Sequence, residues 1–89
     1  MYIVVEHEIS DPQTFWEAAQ EGMQQLPPGL KAHQVFPNED GTKSVCLWEA
    51  ESVEDVESFV EDAVGEVSTN TYYAVKAEEA VGLPTVADT

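Results

Sequence analysis

The stretch from Lys43 to Val56 constrains the fold more than any other part of this 89-residue chain. Val45, Cys46, Leu47 and Trp48 form an unbroken apolar run. In a strand such a run sends apolar side chains to both faces, which predicts that both are covered. Ser52 follows, with Asp55 three residues on, a capping-box variant that starts a helix. A buried strand therefore feeds a capped helix, and the remaining elements have to be arranged around that pair.

From the N-terminus, Tyr2 to Glu8 reads as a first strand, with Ile3, Val5 and His7 on one face and Tyr2, Val4 and Glu6 on the other. Ser10, Asp11 and Pro12 supply an N-cap acceptor and a proline near the first helical position. Phe15, Ala19, Met23 and Leu26 then recur at helical spacing, with Trp16 at the edge of the stripe. Gly22 weakens this helix, and Pro27, Pro28 and Gly29 end it. Lys31 to Phe36 is the second strand, joined to the third through the turn residues Pro37 to Gly41. The second helix is expected over Val53 to Val64, with Val53, Val56, Val60 and Ala63 as its buried stripe and Gly65 as its C-cap. A last strand is expected over Thr69 to Ala77.

The order β-α-β-β-α-β predicts a ferredoxin-like α+β domain over residues 1–77, an antiparallel four-stranded sheet with two helices on one face, and an irregular tail over 78–89. Strands one and three should lie side by side in the middle. The other face has nothing assigned to cover it, yet the strands carry apolar and aromatic residues on both sides. Such a patch predicts a homodimer, sheet facing sheet, with the tail folding over a monomer as the alternative.

Charge narrows the partners. Eighteen Asp and Glu face three lysines, giving a formal net charge of −15. Self-repulsion on this scale destabilises a small domain unless salt screens it. The acids are spread along the chain, which points to a salt-accumulating halophile rather than to a dedicated acidic docking segment. No basic patch exists to neutralise phosphates, so nucleic acid and anionic membranes are excluded as partners. A single cysteine, Cys46, excludes an internal disulfide. With no basic leader at the N-terminus and no long apolar run, a reducing cytoplasm is expected.

Two constellations are candidates for chemistry. His7, His33 and Cys46 together would suit zinc, nickel or copper if a four-residue hairpin loop set His33 opposite Cys46. The alternative is two ordinary histidines and a buried cysteine, with no cofactor at all. The open sheet face is the second candidate, a ligand pocket or dimer packing built from Tyr2, Glu6, Trp48, Tyr72 and Tyr73, with His7 as a proton-transfer group depending on which face the helices take. Cys46 lies mid-strand, where burial disfavours its thiolate. No serine elbow, P-loop or dinucleotide fingerprint is present.

The element order over residues 2–77 resembles the dimeric α/β-barrel superfamily, which implies a ferredoxin-like fold, a homodimer, and activities that include cofactor-independent monooxygenases and isomerases. A local stretch, Val45 to Val56 followed by Tyr72 to Val75, looks like a small ferredoxin-like family with nickel-binding members. The histidine on that family's second helix has no counterpart in Phe59 to Ala63. Three function classes stay open at this point: a small-molecule-binding module, an enzyme working through His7, and a metal-binding protein.

Overall fold

A computed structural model describes residues 1–84. Its elements are β1 (Tyr2–Ile9), α1 (Pro12–Met23), β2 (Lys31–Pro37), β3 (Lys43–Glu49), α2 (Val53–Val64) and β4 (Ser68–Ala74), followed by a short 3-10 turn over Ala77–Glu79. The fold is ferredoxin-like, β-α-β-β-α-β, with strand order β2-β3-β1-β4 and every neighbour antiparallel. β1 and β3 are the inner pair, as their apolar content predicts.

Local chemistry explains the helix starts. The Asp11 carboxylate accepts from the Thr14 amide at 3.3 Å, with Pro12 at the first helical position. Ser52 Oγ accepts from the Asp55 amide at 3.1 Å. α1 closes earlier than its apolar stripe, at Met23, because Pro27 and Pro28 forbid continuation. Leu26 still packs against the core from the loop. β4 is shorter than expected, ending at Ala74.

The core lies between the helices and one sheet face. Ile3, Val5 and Ile9 from β1 meet Cys46 and Trp48 from β3, and Phe15, Val56, Val60 and Val64 from the helices. The far face carries Tyr2, Val4, Phe36, Val45, Leu47 and Tyr73. The expectation that both sides of β3 are covered is met at Leu47, 7% exposed, but not at Val45, 37% exposed. Tail residues supply the partial cover: Leu83 lines a hollow with Val4 and Leu47, and the Tyr2 hydroxyl donates to Pro84 O at 3.1 Å. The tail thus lies over part of the open face, while Phe36, Val45 and Tyr73 stay exposed. Residues 85–89 of the expected tail lie outside the described residues.

Among the described residues the lysine–carboxylate pair is Lys76 with Glu79, and His33 Nε2 lies 2.9 Å from Glu49 Oε1. Most of the surface carboxylates therefore have no cationic partner. Raising KCl from about 0.1 M to about 1 M is expected to stabilise the domain. Thermal unfolding followed by circular dichroism should shift upward, by about 4–8 °C for each ~1 kcal/mol gained; a flat or falling midpoint contradicts the screening account.

Candidate functional site

A cavity of about 390 Å³ lies between the two helices and the sheet. Its walls are Phe15, Trp16 and Met23 from α1 and Phe59, Val60 and Ala63 from α2; its floor is His7, Val35, Cys46 and Trp48. The space arises from small residues where the helices face one another. A methyl group added at Gly22 would sit 3.7 Å from Ala63 Cβ and 3.5 Å from the Phe59 ring, ordinary contact distances. Trp16 is fixed at the cavity wall because its Nε1–H donates to Gly41 O at 3.1 Å. Gly41 has φ +77°, and a Cβ there would press on that indole nitrogen at 3.1 Å, so the β2–β3 turn needs glycine for both reasons.

His7 is the polar centre of the floor, 5% exposed, edge-on to Phe15. Its Nδ1 lies 2.6 Å from Asn70 Oδ1, and its Nε2 lies 3.3 Å from Cys46 Sγ. The proton positions follow from the next bonds. Asn70 Nδ2 donates to Glu61 Oε2 at 3.0 Å, so Asn70 Oδ1 is free only to accept. His7 Nδ1–H therefore donates to Asn70, and Nε2 is left as the acceptor for the Cys46 thiol. Tyr72 also donates to Glu61 Oε2, at 2.6 Å.

Each titration shift has a cause in this arrangement. Burial lowers the His7 pKa, against support from Asn70 and from the more distant Glu61 charge. Burial raises the Cys46 thiol. The hydrogen bonds from Tyr72 and Asn70 lower Glu61, while burial and that same carboxylate raise Tyr72. The resting pair at neutral pH is thus imidazole and thiol, not an ion pair. One further buried polar atom stands out on a residue that lines this cavity. Trp48, 3% exposed, buries its Nε1–H without a hydrogen-bond partner, alone in this among the described residues.

The residues singled out from sequence divide between the two faces. His7, Cys46, Trp48 and Tyr72 lie on the helix side; Tyr2, Glu6, Tyr73 and His33 do not. The expected three-ligand metal set is corrected by this division. Pairing runs Pro37↔Ser44, Phe36↔Val45, Val35↔Cys46 and Gln34↔Leu47, and a bulge at His33 restores Ala32 opposite Trp48. Val35, not His33, is opposite Cys46. His33 instead meets Glu49 at 2.9 Å and packs near Tyr2 on the far face. Among the described residues no group of three potential ligands comes together. Both faces carry a concave space: an aromatic one beneath the helices, lined by Trp48 and His7, and a hollow of about 440 Å³ on the open face, lined by Tyr73, Val4 and Leu47. Asn70 and Glu61 were not anticipated. The available signal was alternation on β4, which gives Asn70 the same inward parity as Tyr72.

No family model matches this chain, and no curated protein matches it. Solved structures do. One, from Nitrosomonas europaea and provisionally named an antibiotic biosynthesis monooxygenase, superposes with TM-score 0.56 at 15% identity over 84% of this chain and 89% of its own. Another, Rv0793 from Mycobacterium tuberculosis, gives TM-score 0.57 at 14% identity over 89% of this chain and 98% of its own. At such identities the likeness shows the shared fold.

His7 should titrate by NMR below its ordinary value. Because the folded pKa is depressed, its contribution to stability is present above the unfolded value of about 6.5 and is lost as pH falls through the folded one. Asn70→Ala removes a bond that supports the charged ring, so the His7 pKa should fall further, and the stranded Nδ1–H should cost about 1–3 kcal/mol in denaturant unfolding. An unchanged His7 titration would remove Asn70 from this role.

Proposed function

We propose that this chain is a small-molecule-binding protein whose ligand enters the helix–sheet cavity. The observation that carries the reading is a mostly apolar, aromatic-walled space of about 390 Å³ with a few convergent polar groups, the composition expected of a ligand site. The exposed Glu17, Gln20 and Val35 belong to its lining and give a route from solvent. The reading needs no cofactor. A second reading, an enzyme of the cofactor-independent monooxygenase or isomerase type, is favoured by one feature: a buried imidazole with a fixed tautomer on the cavity floor, suited to moving a proton to or from a bound molecule. The provisional name of the Nitrosomonas europaea structure supports the same class.

The assembly belongs to this proposal. Phe36, Val45 and Tyr73 remain exposed on the far face at 59%, 37% and 49%, beside Val81 at 98%. Apolar exposure of this kind fits pairing with a second copy, and the surrounding acids fit a salt-rich cytoplasm in which two such copies can approach.

Naphthalene is a suitable probe, because both tryptophans line the cavity and their indole N–H signals report entry by NMR. Saturable shifts of the Trp16 and Trp48 signals are expected. Ala19→Phe, which fills the space, should weaken binding at least about tenfold, the scale of ~1.4 kcal/mol. Absence of any saturable shift in the wild-type protein sinks the binding reading. Native mass spectrometry from high salt should show a dimer, and Phe36→Glu should convert it to monomer without unfolding it; a monomeric wild-type protein overturns the assembly proposal.

A further inference from the structure

The cavity floor holds more than a binding surface needs. Cys46 Sγ sits 3.3 Å from His7 Nε2, and Ser44 Oγ is 3.8 Å from the same sulfur. The other side of the imidazole is held by Asn70, and Asn70 by Glu61. Thiol, imidazole and amide in this order match the arrangement by which a thiol is activated by a neighbouring base oriented by a third group. Cys46 is 6% exposed and belongs to the cavity lining, so the small part of it that is accessible is approached through the cavity. Two residues along the same face of β3, the Trp48 Nε1–H is a buried donor with no acceptor. A buried donor left unpaired costs stability, and this one lies on a residue that also lines the cavity.

We propose that Cys46 and His7 form a covalent capture site for small α,β-unsaturated carbonyl compounds, an inference that rests on the cavity being a ligand site. Cys46 Sγ forms a bond to the β-carbon, and the carbon–carbon π pair moves toward the carbonyl to give an enolate. His7 Nε2 takes the thiol proton as the bond forms and returns it to the α-carbon. The product is a neutral thioether, His7 is regenerated, and no oxidant, reductant or co-reactant is consumed. Asn70 and Glu61 are positioning residues: they hold the tautomer that leaves Nε2 unprotonated and support the imidazolium while it exists. The groups around the imidazole from each packed element are Cys46 and Ser44 on β3, Asn70 and Tyr72 on β4, Glu61 on α2, and Phe15 with the more distant Glu17 on α1.

N-ethylmaleimide tests this by intact mass, since Cys46 is the sole thiol of the chain. The folded protein in high salt should take one adduct, and Cys46→Ala none. A thiol assisted by a neighbouring base should react at a rate nearly level from about pH 7 to about pH 9, because His7 is already neutral. A free thiol with pKa about 8.5, such as glutathione, should instead gain about tenfold per pH unit over the lower part of that range. His7→Gln should slow the reaction about 100-fold at pH 7 and restore the ordinary thiol slope. Should that variant fail to fold, the wild-type pH profile decides alone. No adduct on the folded protein, or a rate climbing tenfold per unit, overturns the capture site. N-ethylsuccinimide, nearly the same shape without the reactive bond, separates the two ideas: indole shifts with it but no maleimide adduct leave the binding reading standing and remove this one, whereas neither response removes both.

Discussion

The register between β1 and β3 is the constraint on which the rest depends. Ile3↔Trp48, Val5↔Cys46 and His7↔Ser44 put alternate residues of both inner strands beneath the helices. Cβ positions alternate strictly along a strand, so a slip of one residue would turn every one of these side chains outward. The same pairing makes His7 and Cys46 diagonal neighbours, a separation that long or aromatic side chains bridge. Core and candidate chemistry are thus products of one set of backbone bonds. Neither can shift without the other, and the histidine stays buried because the apolar residues on either side of it along β1 must.

Much of this was open to reading in the residues. Helix starts at Asp11 and Ser52, the central placement of β1 and β3, and an uncovered far face all follow from spacing and capping chemistry. What escaped was side-chain direction. His33 is on the far face because a bulge interrupts β2, and a bulge leaves no signature in residue types there. The cavity escaped for a different reason: Ala19, Gly22 and Ala63 are unremarkable helix residues until their helices are packed face to face. Asn70 is a polar residue in a strand, and its role appears only when Glu61 arrives from α2 to take its amide protons.

Two electrostatic regimes coexist within a few ångströms. Outside, carboxylates repel one another with few cations to relieve them, and dissolved salt has to carry the screening. Inside, His7 and Cys46 are pushed toward their neutral forms by burial, and one carboxylate, Glu61, reaches the imidazole through an intervening amide. Salt acts strongly on the first regime and weakly on the second, because mobile ions do not enter the desolvated interior. Salt is therefore a strong lever on the surface and a weak one on the buried pair.

The bulge on β2 has a consequence at a larger scale. β2 is an edge of the sheet, and an edge with unpaired amides and carbonyls is a template on which further chains can add without limit. A local bend at His33, with Lys31 at one end of the strand and Pro37 at the other, makes that edge a poor template. Lateral growth at this edge being discouraged, the exposed face around Phe36 and Tyr73 is the surface that the proposed pairing of two copies uses. Face-to-face contact about a two-fold axis is closed and self-limiting. The irregularity that breaks the pairing pattern thus works against open-ended growth from this edge.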